Sequence, residues 1–361
     1  MLISWHNLLR QCADMGATDL HVQPGAAPRL RCQGRLEAVA DADATSPEAT
    51  LDLLRELLDE SQWDEFERRM HVDFAVTDAD GNRFRANAYR QEGGVALAIR
   101  RLQTHVREPE MLNLPATLRE LTAVRDGLVV VTGPTGSGKT TTLASLVHVI
   151  NSERACHILT IEDPIEYVHG NARALVSQRE VRRTVPDFAG AVRAALREDP
   201  DVILVGEMRD LETMRATLAA AETGHLVFST MHTGTAVGAV ERFVGLFPAE
   251  EQDSIRQQLS LVLRAVVAQR LVPGVRETEL VPAVELLLGS NAVANLIRTG
   301  RTEQIRSVME GSAADGMRTL EQDLAALVRA GKITRDDAFR HARQPEQLKM
   351  WLGHDRVGGR R

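Results

Sequence analysis

The residues able to do chemistry concentrate between positions 133 and 233. Gly133-Pro134-Thr135-Gly136-Ser137-Gly138-Lys139-Thr140 fits G-x-x-x-x-G-K-[ST] in full. Its glycines let the backbone wrap until several N–H groups converge on phosphate oxygens. A helix opening at Lys139 adds its positive end. Lys139 is then placed to reach the β- and γ-phosphates of ATP and Thr140 to hold Mg²⁺, with Thr141 closing the phosphate-binding run. Of 43 basic residues only Lys139, Lys332 and Lys349 are lysine, so a lysine at 139 is no casual cation.

Carboxylates recur at the ends of apolar runs. Asp201-Val-Ile-Leu-Val-Gly206-Glu207 reads as a strand ending in an acid, where a neighbouring carboxylate completes a Mg²⁺ shell or polarises water. Gly206 allows close approach. An ordinary solvated loop acid gives the same pattern. Thr160-Ile-Glu162-Asp163-Pro164-Ile-Glu166 puts three acids behind another strand, where ligand groups sit in open α/β sheets. A carboxylate there can deprotonate water near a γ-phosphate; an acidic loop is the plainer alternative. His225 and His232 flank a further strand. Their odd spacing aims them at opposite faces and makes them a poor metal pair. His232, just past the strand, is placed to donate to a γ-phosphate.

The elements around these residues divide the chain in two. Residues 1–105 read as a small α/β unit. Helices are expected over Trp5–Met15 and from Ser46-Pro47 towards Met70, with strands at Leu20–Gln23, Pro28–Cys32, Arg35–Val39, Val72–Thr77, Arg83–Tyr89 and Val95–Arg101. Asp80-Gly81-Asn82 supplies a hairpin turn. Residues 106–115 read as a linker. Over 116–290 short apolar runs (Leu128–Thr132, His157–Ile161, Asp201–Val205, Leu226–Thr230) alternate with helical segments (Thr140–Asn151, Phe188–Glu198, Leu211–Glu222, Ala236–Phe247), which predicts a mostly parallel sheet covered by helices. Beyond Pro248 the pattern is helical apart from a strand near Glu279–Leu286. Residues 291–361 form a helical region with a disordered tail from Arg356.

Composition excludes several classes. With 43% apolar and 26% charged residues, the 361-residue chain is globular in type. No apolar run approaches the ~20 residues of a membrane span, and Met1–Leu9 lacks the basic flank of a signal peptide, so a cytoplasmic location is expected. A net charge of −7 argues against a nucleic-acid partner. Cys12, Cys32 and Cys156 are too scattered for a zinc or redox motif and read as reduced thiols.

Taken jointly, residues 19–340 resemble the type II/type IV secretion ATPase superfamily, and most closely its PilT-like pilus retraction ATPases. Six segments carry the resemblance besides the phosphate loop: Asp19-Leu-His-Val, Arg83-Phe-Arg-Ala-Asn-Ala, Thr160–Glu166, Leu196-Arg-Glu-Asp-Pro-Asp, Val205-Gly-Glu-Met-Arg-Asp and Thr223–Thr233. It implies a PAS-like N-terminal domain and a RecA-like ATPase domain with a helical C-terminal extension. Lys139 and Thr140 correspond to the Walker A pair, Glu207 to the Walker B acid, Glu162, Asp163 and Glu166 to the Asp box with Glu166 as general base, and His225 and His232 to the His box. Arg85 and Arg100 match a family pair of phosphate-touching arginines, though each reads equally well as a solvated charge on a strand. A ring of six, a hinge near 102–115, a membrane platform protein as load, and indirect membrane association are implied. The absence of a four-cysteine zinc site, with Asn295-Leu-Ile-Arg298 and Gly316–Leu324, points to the retraction subgroup. Val293-Ala294 departs from the family's Ile-Arg, which keeps an accessory paralogue open. A secretion or assembly ATPase, a nucleotide-bound regulator without hydrolysis and a nucleic-acid translocase are the other readings.

Overall fold

The structure, a computed structural model, describes residues 4–32, 35–40, 42–102, 106–276 and 279–353. The expected tail from Arg356 and residues 103–105 lie outside them. The chain forms two compact units: Met1–His105 with Pro164–Val168, and Val106–Asp163 with His169–Arg361.

The first unit holds strands β1 (Asp19–Val22), β2 (Arg29–Cys32), β3 (Arg35–Ala38), β4 (His71–Thr77), β5 (Arg83–Gln91) and β6 (Gly94–Arg101), antiparallel in the order β3-β2-β1-β6-β5-β4. Period-two alternation sorts the faces: along β5, Phe84, Ala86 and Ala88 are buried, while Arg83, Arg85 and Asn87 lie on the other side. The buried face packs on Leu8 and Leu9 of α1 (Trp5–Asp14), Leu53 and Leu54 of α2 (Pro47–Leu57) and Phe66 of α3 (Glu60–Arg69). The helical run expected from Ser46 to Met70 is two helices. Leu58 turns extended, and Asp59 restarts the chain with a capping box to Gln62, a stop and start written in side-chain hydrogen bonds rather than in apolar spacing.

The second unit is built on β7 (Gly127–Thr132), β8 (His157–Glu162), β9 (Leu175–Glu180), β10 (Val202–Val205), β11 (Leu226–Met231), β12 (Leu263–Pro273) and β13 (Leu280–Leu288), ordered β13-β12-β7-β11-β10-β8-β9. Every neighbouring pair is parallel except β12–β13. α4 (Ala116–Glu120), α5 (Lys139–Glu153), α6 (Phe188–Ala195), α7 (Leu211–Glu222), α8 (Ala236–Gly245) and α9 (Gln252–Val262) belong to this layer. Two apolar clusters cover the sheet. One joins Val130, Ile161 and Ile203 to α6–α9; the other joins Val129, Val131 and Ile158 to α5. The C-terminal helices are α10 (Asn291–Arg298), α11 (Ile305–Gly311), α12 (Leu320–Arg329), α13 (Arg335–His341) and α14 (Pro345–Gly353). Leu320, Leu324, Ala338 and Leu348 close on Val272 and Val281.

Two strands depart from the expected pattern. Leu263–Pro273, read as helix, is the strand beside β7; its residues from Ala265 to Ala268 are buried on both faces and so show no alternation. β9 is a polar strand at the sheet edge, outside the apolar runs expected as strands.

Candidate functional site

The phosphate loop leaves the C-terminal end of β7 and enters α5. Gly136 and Gly138 have φ of 79° and 85°, in the left-handed region that glycine takes without strain. Pro134, Thr135 and Gly136 form the exposed tip, whereas Ser137 and Lys139 are buried. Gly133 is required by space: a Cβ there would lie 2.4 Å from the Gln269 carbonyl and 2.6 Å from Ser137 Oγ. Lys139 Nζ donates to the Gly133 and Pro134 carbonyls at 2.9 and 3.1 Å, which keeps the ammonium inside the loop. Thr140 and Thr141 occupy the first turn of α5, half-buried.

Parallel register carries the other groups to this same edge. Val205 of β10 pairs with Ser229 of β11, which pairs with Val130 of β7. Glu207 therefore emerges beside the loop, two strand spacings or about 10 Å across the sheet. A Cβ on Gly206 would press on the Ile161 carbonyl at 3.2 Å, so glycine does permit a close approach, here of β8. Arg209 Nε donates to Glu207 Oε2 at 2.7 Å, and His232 Nε2 lies 3.4 Å from that oxygen. The loop after His232 is tied to the phosphate strand: Thr233 N donates to Thr132 Oγ1 at 2.9 Å, and the two hydroxyls are 2.8 Å apart.

At the end of β8, Glu162 is buried and accepts from the Thr160 hydroxyl at 2.7 Å and from Gln178 Nε2 at 3.3 Å, while Asp163 faces Arg182 at 3.4 Å. These bonds hold the two acids in a structural network. Glu166 is half-buried, four residues beyond the end of β8 in the segment Pro164–Val168 of the first unit.

His225 is not brought to this edge. It precedes β11, its carbonyl accepts from Gly127 N at the start of β7, and its ring faces the Ala220 carbonyl at 3.0 Å. Strand direction puts His225 and His232 at opposite ends of β11, about 17 Å apart over five residue steps. His225 instead closes the turn from α7 into β11.

In the first unit the register lines up Arg31, Asp19, Arg100 and Arg85 in one row on the face away from the helices. Arg100 Nε donates to Asp19 at 2.9 Å and remains 70% exposed. Burial pushes the Asp19 carboxyl up, but hydrogen bonds from Arg100 and Thr18 outweigh it and hold the group below the usual carboxylate range.

Gln269 escaped the sequence reading. Buried on β12, it donates from Nε2 to the Ser137 carbonyl at 2.7 Å and accepts from the Thr142 hydroxyl at 2.8 Å. It thereby braces the phosphate loop against α5. No motif marks it, and the run that carries it reads as helix.

A glycine-wrapped phosphate loop at the C-terminal edge of a parallel sheet, with an acid and a histidine emerging beside it, defines a P-loop ATPase of mixed α/β fold. A family model described as type II/IV secretion system protein matches residues 3–345, and the chain belongs to that family. It is 42% identical over 341 residues to the type IV pilus retraction ATPase PilT of Pseudomonas aeruginosa, covering 94% of this chain and 98% of that one. To the type IV pilus ATPase PilU of the same organism it is 36% identical, over 97% of this chain and 91% of the other. Among solved structures, that of the pilus retraction motor PilT with bound ADP matches with a TM-score of 0.90 at 42% identity, covering 96% and 99% of the two chains.

Proposed function

We propose that this chain is a motor ATPase that hydrolyses Mg-ATP to power type IV pilus retraction. One observation carries the reading: Lys139, Glu207 and His232 converge at one sheet edge, in a chain that matches a retraction motor over nearly its whole length. Lys139 binds the β- and γ-phosphates, and the loop N–H groups from Gly133 to Thr141 orient them. The oxygen donors Thr140 and Glu207 would hold Mg²⁺, a hard divalent ion, which would supply charge neutralisation on the phosphate oxygens. Glu166 takes the proton of the attacking water, whose oxygen bonds to the γ-phosphorus as the bond to the β-bridging oxygen breaks. His232 moves from the Glu207 carboxylate towards the γ-phosphate and reports its presence.

The subunits work as a ring of six. Arg85 and Arg100 of one subunit reach the nucleotide phosphates of the next. The load is an inner-membrane pilus platform protein, so the motor is cytoplasmic and meets the membrane through partners, including a paralogous retraction ATPase.

ATPase activity with Mg²⁺, followed against protein concentration with mass in solution recorded alongside, tests this. Activity should rise as a species of six subunits forms, and Glu166→Gln and Glu207→Gln should each lower kcat by about a hundredfold or more. Full activity in a monomer would remove the ring, and wild-type turnover by Glu166→Gln would remove that residue as base.

A further inference from the structure

Glu285 is a buried carboxylate on the antiparallel edge strand β13, outside every motif of the phosphate site. Its register is informative. Glu285 pairs with Ala268 of β12, and Ala268 pairs with Thr132, the last residue of β7 before the phosphate loop. One carboxylate oxygen accepts from Ala236 N, the first N–H of α8, at 2.6 Å. That helix begins directly after the His232–Thr235 loop, whose Thr233 is bonded to Thr132. The other oxygen accepts from the Arg343 guanidinium, in the short connection between α13 and α14.

Arg270 lies alongside this link and is bonded at its C-terminal end. Arg270 on β12 places Nη2 4.0 Å from where a Cβ on Gly234 would sit, and its Nη1 donates to the His341 carbonyl at 3.2 Å. The connection itself is stiffened by Glu321, fully buried, which accepts from the main-chain N–H groups of Arg343 and Gln344 at 3.1 and 3.0 Å. Arg306 bonds both Glu321, at 3.0 Å, and Gln347, at 2.8 Å. The start of α8, directly after the histidine loop, is thus joined to the segment 341–347 through Glu285 and Arg343, while the apolar core beneath α12–α14 is a separate cluster.

A helix N-terminus needs acceptors for its first N–H groups. Thr235 Oγ1 serves Gly238 N, and Glu285 serves Ala236 N. Movement of the histidine loop changes the acceptor that Ala236 requires, and Glu285 cannot follow it without changing its bond to Arg343. We propose that Glu285 is a positioning residue of the ATP site, holding the His232–Thr235 loop through the first turn of α8, and that Arg343 links this hold to the C-terminal helices. The inference rests on the ATPase reading, because the loop has a reason to move only if it meets a γ-phosphate. Its consequence is directional: α13 and α14 report the nucleotide state, and anything that displaces them retunes turnover.

Amide hydrogen exchange of the full chain tests this in Mg-ADP and in Mg-ADP with beryllium fluoride, a γ-phosphate mimic. The segment 341–347 should exchange about fivefold differently between the two states, within the usual span of allosteric coupling. In Glu285→Gln the difference should vanish while both nucleotide states still bind. Arg343→Gln should lower kcat about fivefold with KM for ATP unchanged, and Arg343→Lys, which keeps the charge, should recover most of it. Equal exchange of 341–347 in the two states of the wild-type chain would overturn the linkage alone. So would an Arg343→Gln defect that falls equally on kcat, KM and melting temperature and that lysine does not rescue. A wild-type chain that binds neither state would instead overturn the ATPase reading, and the linkage with it.

Discussion

Gln269 joins two parts of the phosphate cradle that the loop motif leaves unconnected. Its amide is a donor to Ser137 and an acceptor from Thr142 at once. Truncation to alanine strips both partners of a buried bond, at about 1–3 kcal/mol for each group left unsatisfied. Gln269→Ala should therefore bind nucleotide at least tenfold more weakly in calorimetry, with a modest fall in melting temperature. Gln269→Glu should be worse, because a carboxylate faces the Ser137 carbonyl and adds negative charge under a phosphate site. Equal affinity in both variants would show that the loop holds its shape without the brace. The contrast with Lys139 explains what the sequence could reveal. The positions of Lys139, Thr140 and Glu207 were legible because local geometry, a glycine wrap or a strand end, forces residue types at fixed spacing. Gln269 acts across 132 residues, and spacing says nothing about that. His225 shows the converse: proximity in sequence to His232 conceals the length of a strand between them.

Among elements, the connection between β8 and β9 contains an acid-sensitive group. Burial, aided by His148, pushes the His169 imidazole down from 6.5 to about 4. Between those values the unfolded chain takes up a proton that the folded chain refuses. Stability from this residue is complete above about pH 6.5 and is lost progressively as the pH falls towards 4. At pH 5 the loss is about 2 kcal/mol. Urea titrations at pH 7 and pH 5 should show His169→Gln losing about that much less than wild type over the interval; an identical loss would mean that the ring is hydrated in solution. Element type was legible where the pattern was amphipathic, as in α1, expected over Trp5–Met15 and found over Trp5–Asp14. It failed at β12 because a strand buried on both faces has no alternation, and a short apolar run cannot be told from helix by period. Gly289 marks the resulting fit: a Cβ there would meet the Leu263 carbonyl at 2.1 Å, backbone that cannot yield. Gly289→Ala should accordingly destabilise the β12–β13 pair by about 1–3 kcal/mol in chemical denaturation. Unchanged stability would mean that the strand ends shift freely.

For the whole molecule the open question is which chain completes which site. The row Arg31-Asp19-Arg100-Arg85 concentrates three guanidiniums and one carboxylate on a single sheet face. Asp19 neutralises part of that charge and fixes Arg100 by its Nε, leaving the guanidinium's other nitrogens available to an anion. If these arginines act on the nucleotide of a neighbouring subunit, two inactive variants can rescue each other. Lys139→Gln removes phosphate binding but keeps the arginine row, and Arg100→Gln does the reverse. In a head-to-tail ring assembled at random from equal amounts of the two, about one interface in four pairs an intact phosphate loop with an intact arginine. Mixed and reassembled, the pair should recover roughly that share of wild-type ATPase activity per site, whereas each alone stays near background. The same mixing with Arg85→Gln tells whether both arginines serve the interface or one only supports the row. Recovery would show that the active site is shared between chains, which makes nucleotide turnover inseparable from the geometry of the ring. No recovery from subunits that demonstrably mix would place arginine and phosphate loop in one chain, and force would then have to arise from closure within each subunit.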